Sequence, residues 1–429
     1  MRRGLVAAIG VAAMLASVAA CGSDGGGNAG KDPKERTDTL TVWLMQDAET
    51  NWPELVKEAT AAFNRKYPKV KVKVQYQQWG DKVNKLDTAL GGKSVPDVVE
   101  MGNTETLKYI VGGAFEEIDP AKYDNSDSWI KGLKDTCSMG GKLYCVPYLA
   151  GARVGIYRTD MLKAVGFDKA PATGEELTEA LDALQAKYGA KDNKFSALYM
   201  PGRYWYAAMS YVYDAGGSIA EYKDGKWVAN LSSPESRRGL ETWAGLVAKY
   251  YKGDKTKDEQ MQGQVMAQDK AAVLYANGWE AASVSDPEQG GKEELKDKVA
   301  TFAFPGPNGP LPSFIGGSDL AIPVKSDAKD LAEAWIAEFT DEKIQQGLVA
   351  KGVLPNNEKQ LAPLKEKPET AAAARAVEKA WFTPIAEGWA SIEQGNVLQN
   401  MLVDIVTGKA SIAEATKAAD EKINAQING

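Results

Sequence analysis

Apolar and polar residues alternate with two different periods along this chain, and each change of period marks an element. Residues 39–45, TLTVWLM, are rich in β-branched and aromatic side chains and predict a strand. In the NWPELVKEATAAFNRKYP that follows, Leu55, Val56, Ala59, Ala62 and Phe63 fall on one helical face. Pro53 suits the first turn there and Pro68 bars continuation. VKVKVQYQQW then returns to period two, with Val70, Val72, Val74 and Tyr76 on one side and lysines and glutamine on the other. KVNKLDTALGG is helical and stops at Gly91-Gly92, PDVVEM is a third strand and NTETLKYIVGG a third helix. Strand and helix in alternation predict a parallel sheet with helices packed on it.

The pattern restarts after residue 150. ARVGIYRT predicts a strand, and TGEELTEALDALQAKYG opens on a Thr173···Glu176 capping box with Leu177, Leu181 and Leu184 along one side. KAAVLYANG and KVATFAFPGP read as buried strands and DLAIPV as another. A single helix, KDLAEAWIAEFTDEKIQQGLVAKG, follows, and the end is helical in NVLQNMLVDIVTGKASIAEATKAADEKINAQI. Two α/β lobes fit this order, and 429 residues suffice for two sizeable cores.

The N-terminus adds a location. Arg2 and Arg3 precede an apolar run from Leu5 to Val18. Spanning a bilayer takes about 20 apolar residues, so the run reads as a secretory signal. Val18-Ala19-Ala20-Cys21 resembles the lipobox of bacterial lipoproteins. That resemblance implies a signal peptide over 1–20, a lipidated Cys21 and a flexible tether over 21–37, glycine-rich at 22–30, on the extracellular face of the cell membrane. An ordinary signal peptide beside a stray cysteine is the alternative. The formal net charge of −7, more negative once Arg2 and Arg3 leave, argues against nucleic acid as a partner. The absence of histidine removes Ser–His and Cys–His machinery and the commonest zinc ligand, and no cofactor or metal is expected. Cys137 and Cys145 flank Met139-Gly140-Gly141-Lys142, a turn between two short arms. In an exported chain this pair reads as a disulfide closing a small loop, with two buried thiols as the alternative.

The order of several segments is similar to that of a known family. TLTVWLM and FNRKYPKVKVKVQYQQW are followed by VPDVVEMGNTETLKYIVGGAFEEID and GKLYCVPYLAGARVGIYRTDML, then by KAAVLYANGWEA and FIGGSDLAIPVKSDAKDLAEAWIAEFTDE. The whole resembles the family 1 extracellular solute-binding proteins of ABC importers, the group that contains maltodextrin receptors. VKVQYQQW, VVEMGNTET, YLAGARV and YMPGRYWYAAMS look most like its chito-oligosaccharide-binding branch. The resemblance implies an α/β, two-lobe, periplasmic-binding-protein-like (type II) fold. Crossings would fall near Ala150–Arg153, Pro312–Phe314 and Thr340–Glu342. An N-terminal lobe would hold 38–150 and 314–340, and a C-terminal lobe 151–313 and 341–429. It further implies a monomer that closes over a short oligosaccharide, N,N′-diacetylchitobiose above all, and presents it to membrane permease subunits.

A pyranose offers a rim of hydroxyls and two C–H faces, so its site needs flat aromatic surface ringed by oriented donors and acceptors. Ligands of open α/β sheets sit beyond the carboxyl ends of strands. In the first lobe those ends carry Gln46 and Asp47, then Asn103 and Thr104, with helix capping as the rival role for Asn103. GGSDLAI adds Gly316, Gly317, Ser318 and Asp319, a segment that faces the cleft in the family. In the second lobe PGRYWYAAMSYVYDAGG gathers Arg203, Tyr204, Trp205 and Tyr206 beside Tyr211 and Tyr213. Helical spacing assigns part of this cluster to the core: Trp205 or Tyr206 is expected on the sugar, Tyr211 and Tyr213 inside. NGWE puts Trp279 and Glu280 after a strand, where the family commonly stacks sugar on a tryptophan. AWFTPIAEGWA adds Trp381, Phe382 and Trp389, as platforms or as core. Arg153 sits at the first crossing in an apolar setting. It answers a carboxylate, with Asp47, Glu280 or Asp319 as conceivable partners, or it binds the ligand.

Three rival functions stay open: a receptor for cellobiose or maltodextrin, a secreted glycoside hydrolase with two facing carboxylates, and a peptide-binding protein. No catalytic motif, phosphate loop or metal cluster is visible in the sequence, and a non-enzyme is expected.

Overall fold

The period-two segments pair first with each other. Strand β1 (Thr39–Met45) runs parallel to β2 (Lys71–Gln77) on one side and to β3 (Val98–Gly102) on the other. The structure is a computed structural model that describes residues 32–429. Cys21 and the tether before residue 32 lie outside the described residues, and so do the signal peptide and the lipid anchor expected there. Leu40, Val42 and Leu44 of β1 meet Leu55, Val56, Ala59 and Phe63 of helix Pro53–Lys66, the face read from the sequence. Leu331, Trp335 and Ile336 of helix Lys329–Phe339 close the same core.

The hairpin β4 (Ser138–Met139) and β5 (Lys142–Leu143) leads into β6 (Val146–Arg158). Gly140 and Gly141 hold φ of +60° and +80° in its turn, left-handed values that glycine adopts without strain. The hairpin brings the Cys137 and Cys145 sulfurs to 2.00 Å. The second lobe is built from β7 (Ser196–Tyr199), the hairpin β8 (Ala220–Lys223) and β9 (Lys226–Ala229), β10 (Ala271–Asn277), β11 (Val299–Phe302), and the short β12 (Pro305–Gly306) and β13 (Gly309–Pro310). Strand β14 (Ser313–Ala321) then returns, and β15 (Ala380–Trp381) pairs with its start.

One sheet runs through both lobes in the order β2-β1-β3-β14-β6-β10-β7. The expected parallel pairing holds for β2-β1-β3 and for β10-β7. Strand β14, however, lies antiparallel between β3 and β6. Strand β6 leaves the first core after Leu149 and enters the second at Ala150. Strand β14 runs back from Ile315 in the second core to Leu320 in the first. The two crossing segments are therefore hydrogen-bonded partners, Ile315 opposite Ala152 and Gly317 opposite Ala150.

The third passage falls later than Thr340–Glu342. The expected single helix breaks at Thr340, whose hydroxyl donates to the Ile336 carbonyl. Asp341 caps a new helix, Glu342–Ala350, by accepting from the Ile344 N–H. Ile344, Leu348 and Val353 still pack in the first core, and Leu354 is the first residue in the second.

Candidate functional site

The cleft lies where the strand ends of the two lobes face each other. On the first lobe, β1 opens into helix Gln46–Thr50, so Gln46 and Asp47 stand at its carboxyl end, both partly buried. An Asp47 carboxylate oxygen accepts from the Trp79 indole N–H at 2.5 Å. Trp79 is 41% exposed, and the Lys82 ammonium lies 5.1 Å from its ring centroid. The indole is thus pinned at its edge and covered on one side, leaving a flat apolar surface. Lys82 also pairs with Glu105 at 2.6 Å. Glu105 is buried, and its Oε2 has no hydrogen-bond partner. A side chain at Gly102 would meet that oxygen at 2.5 Å, so glycine there lets the carboxylate approach the end of β3.

Trp79, Lys82 and Glu105 were not among the residues picked from the sequence. The strand-end rule that selected Asp47 applies equally to the tryptophan just past VKVKVQYQQ. The role of Glu105 carries no comparable signal.

Asn103 is buried and braces β3 against β14: its N–H donates to the Gly317 carbonyl at 3.1 Å and its side-chain amide to that of Ile315 at 3.5 Å. It does not cap the next helix, whose N-cap position is Glu105. Gly317 is partly buried beside it. Ser318 and Asp319 lie buried behind the end of β3. Ser318 donates to buried Glu100 at 2.6 Å, and Asp319 accepts from the Thr106 hydroxyl at 2.8 Å with no exposed surface. Burial pushes Asp319 up to about 8 and Glu100 to about 7, so both acids hold a proton more readily than an exposed carboxylate does.

On the second lobe, Arg153 is the centre. It is buried, donates to the Tyr204 hydroxyl at 2.8 Å and to Glu259 at 2.6 Å, and lies 3.9 Å from the Tyr206 ring centroid. Its partner is therefore Glu259, none of the three carboxylates expected. Desolvation opposes its charge, yet Glu259 and the two tyrosines hold it firmly protonated. Glu280 accepts from the Asn277 backbone and side-chain N–H groups, and burial together with Glu259 holds it above the ordinary carboxylate range. Burial likewise pushes Asp258 up to about 6. Trp279 follows the end of β10, yet its ring packs against the first core and lies over Gly151, where an added Cβ would meet Cζ3 at 2.5 Å.

The aromatic cluster divides differently from expectation. Tyr206 is partly buried and stacks on Phe314 with centroids 4.6 Å apart. Tyr204, Trp205 and Trp381 are core residues, exposed by 0%, 3% and 3%. Trp205 is enclosed by Tyr206, Phe314, Trp381 and Trp389, and Trp381 donates to Ser210 and stacks on Tyr213. All three pack behind Tyr206 and Phe314 and support the wall. Tyr211 is buried, in line with its reading as core. Phe382 packs over Gly132, and Arg203 donates to Asn396 at 3.0 Å on the second lobe.

The lobes meet across the cleft. Thr104 stands beside Glu393 of helix Trp389–Gln394, and Gln394 donates to Asn84 at 3.2 Å. The facing walls present tryptophan and tyrosine rings, two held cations and several carboxylates. Such an array suits a ligand with apolar faces and many hydroxyl or amide groups.

Two lobes on one sheet, with a polar and aromatic cleft between them, define a hinged binding protein. Residues 58–377 match the family described as bacterial extracellular solute-binding protein, and the chain belongs to that family. It is similar to the diacetylchitobiose binding protein DasA of Streptomyces coelicolor, 32% identical over 440 residues covering 100% of this chain and 99% of that protein. Among solved structures it is similar to the GacH receptor of Streptomyces glaucescens, with a TM-score of 0.78, 20% identity and coverage of 92% of this chain and 99% of the other. It is equally similar to an ABC transporter solute-binding protein of Thermotoga lettingae bound with α-D-tagatose, with a TM-score of 0.78, 22% identity and coverage of 90% and 99%. The two-lobe type II fold is thereby established.

Proposed function

We propose that this chain is the extracellular receptor of an ABC importer, tethered through a lipidated Cys21, that closes over N,N′-diacetylchitobiose or a longer chito-oligosaccharide and delivers it to the permease. The observation that carries the sugar reading is Trp79. Its indole is fixed by Asp47 and Lys82 at the carboxyl ends of the first-lobe strands, with Tyr206 on the other wall. The ligand named for the full-length relative DasA favours an amino sugar. Each acetamido group adds one carbonyl acceptor and one amide donor. Lys82 and Arg153 suit the first, and Asp47 suits the second. The first lobe is proposed to carry 38–149 and 320–353, and the second 150–315 and 354–429.

Leaving a buried partner unpaired costs roughly 1–3 kcal/mol. Cellobiose, which lacks the acetamides, should therefore bind at least about tenfold more weakly. Calorimetry with diacetylchitobiose, cellobiose and maltotriose tests this. Equal affinity for cellobiose would assign a general β-glucan receptor, and no heat with any sugar would remove the carbohydrate reading. Mass spectrometry of the mature N-terminus tests the anchor, which an unmodified terminus beginning elsewhere would exclude.

A further inference from the structure

We infer that closing the lobes takes up a proton, held on the carboxylate pair that Glu105 of the first lobe and Glu393 of the second form across the cleft. This rests on the receptor reading of the cleft.

Glu393 is carried to the first lobe by helix Trp389–Gln394, and the neighbouring Gln394–Asn84 hydrogen bond marks the same contact between lobes. The groups that act on it come from several elements. On its own helix the Trp389 indole N–H donates to Glu393 Oε2 at 3.2 Å. From the end of β3 come the Thr104 hydroxyl and the Glu105 carboxylate, and from helix Lys82–Gly91 the Lys82 ammonium. From helix Trp205–Asp214 the Tyr206 phenol feels the charge of both glutamates and is kept neutral by burial.

The charge count is unbalanced. Two carboxylates face one ammonium, and that ammonium is already engaged by Glu105 at 2.6 Å. The second Glu105 oxygen is buried and has no donor. One proton on the pair leaves a single negative charge against a single positive one. Burial and the Glu105 charge accordingly hold Glu393 above the ordinary carboxylate range.

When the lobes part, Glu393 moves away from Glu105 into water and regains an ordinary carboxylate affinity for protons. The closed state thus binds the proton more tightly than the open state, and linkage sets the sign. Closure carries no electrostatic penalty below the ordinary value near 4.5. The penalty grows as pH rises through the raised range in which the closed state gives up the proton, and it is constant above that. Sugar affinity, which includes closure, should fall by about tenfold for each unit separating the two states.

The test is calorimetry of diacetylchitobiose binding to the full chain near pH ~6, in two buffers of different ionisation heat, on the wild type and Glu393→Gln. Glutamine mimics the neutral acid and can keep the Thr104 and Trp389 contacts. The wild type should take up more protons on binding than Glu393→Gln, by a large fraction of one. Its affinity should fall at least about tenfold between roughly pH 5.5 and 8, more steeply than that of the variant. At the upper pH the variant should bind at least as tightly as the wild type, a gain that a merely structural role for Glu393 would not produce. Equal proton uptake and equal pH slopes would overturn the inference alone, as would weaker binding by the variant at the upper pH. No binding heat in either chain would overturn the receptor reading and the inference with it.

Discussion

Replacing Arg153 with methionine removes the one cation held at the centre of the second lobe's wall while keeping most of the stem's volume. Three interactions go at once: the bond to Tyr204 at 2.8 Å, the ion pair with Glu259 at 2.6 Å, and the guanidinium 3.9 Å from the Tyr206 ring centroid. Glu259 keeps only the Gln262 amide at 3.1 Å and stays close to the Glu280 charge. Breaking a buried pair by removing one partner costs about 3–5 kcal/mol, because a charge is left without compensation. The Glu259 side chain is 18% exposed, so water relieves part of that, and a loss of about 3 kcal/mol is expected. Removing both charges, as Arg153→Met/Glu259→Gln, leaves no orphan and should cost only about 1 kcal/mol. Glu259→Gln alone leaves Arg153, whose side chain is 6% exposed, without its counter-charge and should also be costly, so the cycle should show a coupling well above about 2 kcal/mol. Urea denaturation of the four chains, followed by tryptophan fluorescence and fitted for separate lobe transitions if two appear, supplies the numbers. A double variant as destabilised as the sum of the singles would refute the reasoning, since the pair would then carry no mutual compensation.

Trp79→Ala should weaken diacetylchitobiose binding about tenfold with little change in melting temperature, whereas Trp205→Ala should cost about 3–5 kcal/mol of stability as a buried aromatic. A stability loss for Trp79→Ala without weaker binding would show that its indole serves the fold. Gly151→Ala places a methyl 2.5 Å from the Trp279 ring, so it and Trp279→Ala should both weaken binding. Wild-type affinity in Gly151→Ala would free Trp279 from any role in the cleft. Reduction of Cys137–Cys145 should cost about 2–3 kcal/mol for so short a loop. Finding two reactive thiols per chain in denaturant without reductant would show that the bond is not made.

The periodic parts of the first lobe were legible because their burial is local. The face Leu55, Val56, Ala59, Ala62 and Phe63 is read from spacing alone and buries as read. The Gly140-Gly141 turn is likewise a local matter. The antiparallel entry of β14 was not legible, since a strand's direction leaves no trace in its composition. The break at Thr340-Asp341 was written in capping residues, but the apolar period runs through it. In the site, aromatic density pointed to the right region and not to the right side chains. Trp205 and Trp381 face inward because Phe314 and Trp389 pack on Trp205 and Ser210 takes the Trp381 N–H. Glu105, Glu259 and Glu393 look like ordinary surface charge in the sequence. Only the fold carries Glu393 to a residue nearly 300 positions earlier, much as Gln394 reaches Asn84 at a separation of 310.

Small-angle X-ray scattering of the mature chain, with and without saturating diacetylchitobiose, addresses capture by lobe closure most directly. The radius of gyration should fall when diacetylchitobiose is added, and cellobiose should need at least about tenfold more to produce the same fall. An unchanged radius at a concentration where calorimetry shows the site filled would contradict closure over the sugar.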